Sequence, residues 1–264
     1  MSFRADRESH QAREMAESFG SDPERYDRTR PGYPDGLVRR IVAASPGADI
    51  LDVGCGTGIV ARQFRAAGCR VLGVEVDPRM ADFARQTGID VEVSKFEDWD
   101  PASRAFDAVV SGQTWHWVEP VGGARKAAQA LRPRGRLAVF WNVQQPPAGL
   151  AEAWSAVYRR LLPDSVFARA AAPGVEAYSG LLTKAEEGIR AAGAFGEPDQ
   201  WCFASEREYT REEWLDQVPT AGGHSRFPPA TLEELLAGIG TAIDEAGGSF
   251  TMRYAVVAVT AQRA

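Results

Sequence analysis

The 264-residue sequence contains few cysteines and no long hydrophobic run, and both absences narrow what the protein does. Cys55, Cys69 and Cys202 are too few and too scattered for a disulfide framework or a zinc site built from CxxC pairs. We therefore expect reduced thiols and no metal site. No apolar stretch is long enough to cross a bilayer, and the charged residues 1–10 do not resemble a secretory signal. These absences predict a cytoplasmic protein with no membrane partner.

A basic stripe with interleaved aromatic residues, which binding to nucleic-acid phosphates normally requires, is also missing. The net charge is −6, and the acidic surplus lies in the second half of the chain. We therefore expect a small-molecule partner and no nucleic acid. The sequence leaves open whether the chain is a monomer or a homodimer.

Short apolar runs alternate with helix-like segments through the first half of the chain, a pattern typical of a parallel sheet with helices on both faces. The predicted strands are Asp49 to Val53, Arg70 to Val76, Ile89 to Ser94, Ala105 to Ser111 and Arg136 to Asn142, followed later by stretches near Gln200 to Ser205 and Phe250 to Thr260. The predicted helices lie at about Gly58 to Ala67, Pro78 to Thr87, Gly122 to Leu131, Ala148 to Leu162, Ser179 to Ala192, Thr210 to Val218 and Pro229 to Glu245.

Four regions follow from this pattern. Residues 1–35 form an N-terminal arm that either covers the sheet edge or acts as a lid, and within it Arg25 to Pro34 is expected to be a turn-rich loop. Residues 36–145 form the core, residues 146–198 a mostly helical cap, and residues 199–264 complete the sheet.

Three glycines at alternate positions follow the first predicted strand, in Asp52-Val53-Gly54-Cys55-Gly56-Thr57-Gly58. A strand that ends in glycines and enters a helix brings bare backbone and free helical N–H groups to a ligand. The dinucleotide fingerprint GxGxxG requires its third glycine at position 59, where this sequence has Ile59. The loop therefore indicates a nucleotide-like cofactor without the pattern that binds a pyrophosphate.

The segment from Asp52 to Gly58 resembles the first motif of the Rossmann-like (class I) S-adenosylmethionine-dependent methyltransferases. The resemblance implies an α/β fold with a seven-stranded sheet, helices on both faces, an antiparallel last strand and a helical cap. It also implies S-adenosylmethionine as the cofactor. The implied contacts are the loop at Gly54, Cys55, Gly56 and Gly58, and Asp52 near the methionine ammonium, although Asp52 capping a loop amide is an alternative.

The second predicted strand ends in Glu75, where family members carry an acidic residue that binds the ribose hydroxyls. A carboxylate suits this role because it accepts both hydroxyl hydrogens. Val76 and Met80 follow and would pack on the adenine, with ordinary core packing as an equal alternative.

The third strand leads into Lys95-Phe96-Glu97, where family members bind the adenine amino edge. Lys95 replaces the usual acidic residue, so only the Phe96 backbone and, weakly, Glu97 are carried over to this sequence. A solvated acidic loop is the alternative for Glu97.

The fourth strand is followed by Gln113-Thr114-Trp115-His116-Trp117, beside the expected switch point where open α/β sheets bind ligands. In related enzymes this loop contacts the methionine part of the cofactor, here through Gln113, and borders the substrate, here through Trp115 and Trp117. An imidazole that titrates near neutrality suits His116 as a base for a hydroxyl acceptor, with a structural or orienting histidine as the alternative.

The N-terminal segment Arg25-Tyr26-Asp27-Arg28-Thr29-Arg30-Pro31-Gly32-Tyr33-Pro34, together with the glycine loop and the Trp-His-Trp sequence, is similar to the trans-aconitate methyltransferase relatives. In that subgroup the arm lies near the methionine end of the cofactor. Tyr26, Arg30 and Tyr33 would then bind its carboxylate or an acidic substrate. An arm tied to surface acids is the alternative.

A glycine-bearing loop in the second half carries His224 and Arg226, which are candidates for binding the substrate, with an exposed loop as the alternative. We predict methyl transfer to a small molecule, most readily to an oxygen of a hydroxyl or carboxylate. The alternatives are a noncatalytic cofactor-binding module on the same fold and a nicotinamide-dependent oxidoreductase, against which Ile59 argues.

Overall fold

In a computed structural model, which describes residues 18–163, 165, 168 and 174–264, the chain forms a seven-stranded sheet. The strands are β1 Asp49–Val53, β2 Arg70–Glu75, β3 Asp90–Val93, β4 Phe106–Gly112, β5 Leu131–Gln145, β6 Asp199–Thr210 and β7 Ser249–Gln262. Their order is β3-β2-β1-β4-β5-β7-β6; the first five pair in parallel and the last runs antiparallel. The predicted fold class is confirmed.

The α-helices of the described residues are α1 Pro23–Thr29, α2 Asp35–Ala43, α3 Ile59–Ala66, α4 Pro78–Gln86, α5 Pro120–Ala130, α6 Ala148–Leu161, α7 Ser179–Ala192, α8 Arg211–Gln217 and α9 Pro229–Glu245. Their ends follow local capping. The Asp77 side chain accepts a hydrogen bond from the Arg79 amide at the start of α4. At α8, Thr210 and Glu213 form a reciprocal capping box. Helix α5 begins two residues before the predicted start because Glu119 accepts from the Val121 and Gly122 amides.

The loop predicted from Arg25 to Pro34 is wrong over its first half, because Pro23–Thr29 is helix α1. Asp22 caps this helix by accepting from the Arg25 amide, and Pro23 occupies the first turn, where its missing N–H costs nothing. The chain is extended from Arg30 onwards, as the following Pro31 favours.

Strand β5 is longer than predicted because the Pro133-Arg134-Gly135 segment interrupts its pairing without ending it. Phe106 of β4 pairs with Leu131, and the next pair joins Ala108 to Arg136, so the residues between form an irregularity in β5. Arg134 has a φ of 64°, which reverses the local backbone and allows the strand to resume.

The chain divides into two compact units, each with its own core. The larger unit comprises Pro31–Asn142, Tyr178–Phe203 and Val256–Ala264, and the smaller unit comprises Met1–Arg30, Val143–Ala177 and Ala204–Ala255. Helix α7 contacts α5 in the larger unit, whereas α6 contacts α9 in the smaller unit. Whether residues 146–198 act as one cap stays a prediction.

In the larger unit, helices α2 and α3 cover one face of the sheet through residues such as Leu37, Ile41 and Phe64, which pack on Ile50 and Phe140. Because successive side chains of a strand alternate, Leu51 and Val109 are buried on the opposite side. The smaller unit has an aromatic core. Among the described residues, no helix is long and apolar enough to span a membrane.

Candidate functional site

The glycine loop between β1 and α3 has the backbone shape that its sequence requires. Gly54, Gly56 and Gly58 all have positive φ angles, of 64°, 55° and 88°. A Cβ atom at Gly54 would lie 2.0 Å from the Thr114 Cγ2 atom, so no larger residue fits there. Gly58 is the left-handed residue immediately before α3. The loop therefore presents backbone at the start of a helix, as an anion- or nucleotide-binding turn does.

Cys55 fills space inside this loop. Its side chain is 7% exposed, and a Cβ atom at Gly73 would lie 2.5 Å from its sulfur. Burial, with the Asp52 and Glu75 carboxylates nearby, raises the pKa of the thiol well above its usual value. Cys55 is accordingly a buried, protonated neighbour of the site.

Glu75, at the end of β2, holds the glycine loop through backbone hydrogen bonds. One carboxylate oxygen accepts from the Gly56 amide at 2.7 Å, and the other accepts from the amides of Val76 at 2.9 Å and Asp77 at 3.0 Å. The side chain is buried, and burial raises its pKa even though these three amides oppose the shift. This carboxylate is thus fixed in place at the edge of the loop.

Asp52, at the end of β1, is fully buried, and neither of its carboxylate oxygens has a hydrogen-bond partner among the described residues. Burial is the main cause, and repulsion from Glu75 the second, of a pKa raised to about 8. The nearby Ala61 backbone N–H lowers the pKa of Asp52 and so opposes part of this rise, although its geometry does not meet that of a hydrogen bond. A buried carboxylate without a partner costs free energy, and a cation bound beside it would relieve that cost.

The end of β4 places Gln113 and Thr114 beside the loop. Gln113 has a φ of 57°, which is uncommon for a residue other than glycine. Its backbone amide donates to the Phe140 carbonyl at 2.9 Å. The Thr114 hydroxyl donates to the Gly54 carbonyl at 3.1 Å. Tyr33 packs edge-on against Phe140 with ring centres 4.8 Å apart.

The Trp115–Trp117 segment is a 3₁₀ turn whose three side chains have different surroundings. Trp115 is buried against Phe96, whereas His116 and Trp117 are partly exposed. The Trp141 indole donates to the His116 Nδ1 atom at 3.2 Å, and burial lowers the pKa of His116 to about 4. His116 is therefore neutral at pH 7 with its proton on Nε2, which presents a donor rather than a free lone pair.

The residues expected at the adenine lie near the ends of β2 and β3. Met80 is 4% exposed and lies 3.7 Å from the position that a Gly56 Cβ would take, while Val76 is partly exposed. Phe96 is buried, and the Glu97 carboxylate accepts from the Glu119 amide at 3.0 Å. Their cofactor contacts stay predictions.

Tyr26, Arg30, His224 and Arg226 belong to the smaller unit, whereas Tyr33 belongs to the larger. Arg30 lies over the Tyr26 ring, 4.8 Å from its centre, and donates to the Thr220 carbonyl. His224 is fully buried with its Nε2 atom 2.8 Å from the Tyr158 hydroxyl, so the alternative of an exposed loop is wrong for His224, while Arg226 is exposed. The ligand contacts expected of these residues stay predictions.

Sequence reasoning missed residues whose importance depends on tertiary contacts. The Thr57 hydroxyl and the Asn142 side-chain oxygen are buried without partners among the described residues, and Trp141 fixes the His116 ring. Position at the carboxyl end of a parallel strand was the only sequence signal for Asn142. No cluster of three or more potential metal ligands occurs in the described part of the chain.

Comparison with known proteins bears directly on this loop and these strand ends. Residues 51–139, from β1 into β5, match the family model of the methyltransferase domain. Residues 51–139 are thus similar to methyltransferase domains. The matched range includes the glycine loop, Glu75 and the Trp115–Trp117 segment, which are the features that the sequence singled out.

Two methyltransferases of bacteria are similar to this part of the chain. An uncharacterized methyltransferase of Mycobacterium tuberculosis is 34% identical over 140 residues, which are 52% of this chain and 57% of that protein. The ubiquinone biosynthesis O-methyltransferase of Xanthomonas campestris is 32% identical over 131 residues, 46% of this chain and 54% of that protein. The chain thus spans little more than half the length of these curated relatives.

A solved structure extends the likeness beyond the methyltransferase domain at the level of fold. A candidate type II methyltransferase from Anaeromyxobacter dehalogenans superposes with a TM-score of 0.61 at 21% identity, and the match covers 88% of this chain and 97% of that one. The fold of that structure is therefore shared well outside residues 51–139. The similarity to trans-aconitate methyltransferase relatives stays a prediction.

Proposed function

We propose that the protein is an S-adenosylmethionine-dependent methyltransferase whose cofactor binds in the larger unit. The observation that carries the proposal is the buried Asp52 carboxylate, which has no partner among the described residues and lies directly behind the glycine loop. The cofactor carries an ammonium group, which is the kind of cation that such a carboxylate accepts.

The other residues present fit the same cofactor. The backbone of Gly54, Gly56 and Gly58 would lie against it, and Glu75 would accept a hydrogen bond from one of its ribose hydroxyls. Val76, Met80, Phe96 and Glu97 would surround the adenine. A dinucleotide fits less well, because Ile59 occupies the first position of α3 where the dinucleotide fingerprint has glycine.

When bound, this cofactor supplies a methyl group on a positively charged sulfur, which is transferred by in-line displacement. The chain's part is mainly to orient the reactants and to exclude water. His116 is neutral, but its Nδ1 lone pair is engaged by Trp141. We therefore assign His116 an orienting role through its Nε2–H group, with Trp115 and Trp117 beside it, in preference to the role of a base.

The methyl acceptor in this proposal is a small molecule methylated on oxygen. The name of the Xanthomonas campestris relative, a ubiquinone biosynthesis O-methyltransferase, supports this choice. The sequence after β4 supports it by exclusion, since it lacks the Asn/Asp-Pro-Pro-aromatic tetrad of amino methylation and the Pro-Cys nucleophile of base methylation.

Calorimetric titration with S-adenosylhomocysteine, followed by transfer of labelled methyl groups from S-adenosylmethionine to a small-molecule cell extract, tests the proposal. We expect micromolar binding that Glu75→Ala weakens, and a labelled product. Folded protein that does not bind S-adenosylhomocysteine would overturn the proposal. Binding without any transfer would favour a noncatalytic module, and enhanced NADH fluorescence would favour an oxidoreductase.

A further inference from the structure

Asn142, the only asparagine in the chain, lies near the carboxyl end of β5. It is 5% exposed, and its backbone carbonyl accepts a hydrogen bond from the Gln113 side-chain amide at 3.1 Å. Its own side-chain nitrogen donates to the Gly32 carbonyl at 3.4 Å. These contacts tie together the chain before α2 and the ends of β4 and β5.

The orientation of the Asn142 amide follows from these contacts. The Gly32 carbonyl is an acceptor, so the amide nitrogen must face it, and the amide oxygen must point the other way. That oxygen is fully buried and has no partner among the described residues. Leaving a buried carbonyl oxygen unpaired costs free energy, which a hydrogen-bond donor on a ligand would recover.

A second observation at the same spot is an uncommon backbone conformation. Gln113, whose side chain contacts Asn142, has a positive φ of 57°. Strained backbone of this kind persists where surrounding structure enforces it and is concentrated at functional sites. Tyr33, which follows Gly32 in the chain, is partly exposed and packs edge-on at 4.8 Å against the buried Phe140 ring.

The sheet register separates Asn142 from two of the groups proposed to hold the cofactor, Asp52 and Glu75. Asp52 of β1 pairs with Val110 of β4, and Val110 pairs with Ala138 of β5. Asn142 lies four residues beyond Ala138 on β5, which is roughly 13 Å along the strand direction. Glu75 lies on β2, on the other side of β1 from β5. Asn142 therefore lies at the edge of the expected cofactor site, beside Gln113, where a second ligand would reach its side-chain oxygen.

We propose that the Asn142 side-chain oxygen accepts a hydrogen bond from the hydroxyl group of the methyl acceptor and so orients the hydroxyl oxygen for transfer. The new carbon–oxygen bond would form as the bond between the methyl carbon and the cofactor sulfur breaks, with S-adenosylhomocysteine as the leaving group and the hydroxyl proton released to solvent water. The inference rests on the proposed function. It names the acceptor class as a hydroxylated small molecule, with the partly exposed Tyr33 ring suited to pack against an aromatic acceptor.

Because the chain has one asparagine, side-chain ¹⁵N-asparagine labelling gives a single pair of amide resonances that reports on this group alone. The probes are phenol, which donates an O–H, and anisole, which has the same ring and no donor. Both are titrated into protein saturated with S-adenosylhomocysteine. We expect phenol to shift the Asn142 resonances and anisole to leave them in place. Equal responses to the two probes, or a shift caused by S-adenosylhomocysteine alone, would overturn the proposal.

Transfer of labelled methyl groups to the extract provides the second readout. Asn142→Ala should reduce transfer about tenfold while S-adenosylhomocysteine affinity stays within about twofold, as expected for one lost hydrogen bond to the acceptor. Thr260→Val is the matched control, because Thr260 is a fully buried side chain of the same unit whose hydroxyl donates to the Leu137 carbonyl and accepts from the Arg136 guanidinium. Unchanged transfer by Asn142→Ala contradicts the inference, whereas failure of the wild-type protein to bind S-adenosylhomocysteine contradicts the proposed function.

Discussion

The backbone amide of Gly56 donates a 2.7 Å hydrogen bond to the carboxylate of Glu75, which joins the glycine loop directly to the end of β2. The other carboxylate oxygen accepts from the two amides that follow Glu75 in the chain. Because all three donors belong to the backbone, the position of the carboxylate is set by the fold. A carboxylate offers roughly four acceptor positions, so one remains for a ribose hydroxyl.

Replacing Glu75 should weaken cofactor binding strongly. Glu75→Gln keeps the size of the side chain but turns an N–H group towards backbone N–H donors, and it removes the charge. We expect S-adenosylhomocysteine affinity to fall about 10- to 100-fold, the range for a lost hydrogen bond to a charged group, and Tm to fall as well. Calorimetry and thermal unfolding measure the two effects. Glu187→Gln, at an exposed position on α7, is the control and should change neither; undiminished affinity in folded Glu75→Gln would show that Glu75 does not hold the cofactor.

Cofactor affinity should depend on pH through Asp52. Its pKa is raised to about 8, so the carboxyl group is mostly protonated at pH 7, whereas an ammonium ligand binds the ionised form. Affinity for S-adenosylhomocysteine is therefore expected to rise as pH increases from about 7 to about 9, with proton release on binding. Calorimetry in buffers of different ionisation enthalpy measures that release.

Asp52→Asn supplies the control for this pH dependence. It should bind more weakly at pH 9 and show no proton release. In the unliganded protein the pKa of Asp52 is raised to about 8, above the unfolded value near 3.8. The protonated Asp52 therefore contributes its full stabilisation of the fold below about pH 3.8, and this contribution is lost as pH rises through about 8. Asp52→Asn should flatten that part of the stability curve. Affinity that is constant with pH in the wild-type protein would rule out Asp52 as the ammonium site.

Local sequence patterns were sufficient to predict most of the strands and helices and the position of the glycine loop. Alternating apolar runs predicted all seven strands, and α7 and α9 have the predicted boundaries. Helix α1 was not predicted because its arginines, tyrosine and following Pro31-Gly32 are typical of a loop, although Asp22-Pro23 is a helix-start signal. The glycine spacing and Glu75 lie where the resemblance implied, because a short βαβ unit fixes their separation.

Other parts of the candidate site depend on long-range packing and were not predictable. His224 contacts Tyr158, which is 66 residues earlier in the chain, and this contact buries a histidine that the sequence alone places in an open loop. Similarly, the ring orientation of His116 depends on Trp141 of β5. Neither contact leaves a periodic signal in the sequence.

Gly54→Ala should destabilise the protein far more than Gly68→Ala. Both glycines have positive φ angles, 64° and 88°, so both variants incur backbone strain of about 1–2 kcal/mol. At Gly68 nothing lies within 4 Å of the added Cβ, whereas at Gly54 it would lie 2.0 Å from Thr114. Urea unfolding of the two variants isolates the cost of the clash. Equal losses of unfolding free energy would mean that the loop moves freely away from Thr114.

Trp141→Phe should change the tautomer of His116 without restoring an ordinary pKa. The indole N–H holds the proton of the imidazole on Nε2, while burial is what lowers the pKa to about 4. Removing the donor and keeping an aromatic ring should therefore populate the Nδ1–H tautomer, with the pKa still well below 6.5. Nitrogen-15 histidine spectra, assigned with His116→Gln, measure both quantities. His224, which contacts Tyr158 in the smaller unit, is the internal control and should not respond. A wild-type His116 that titrates near 6.5 would contradict this account. The imidazole would then again be a candidate for the base, because its lone pair would be available near neutral pH.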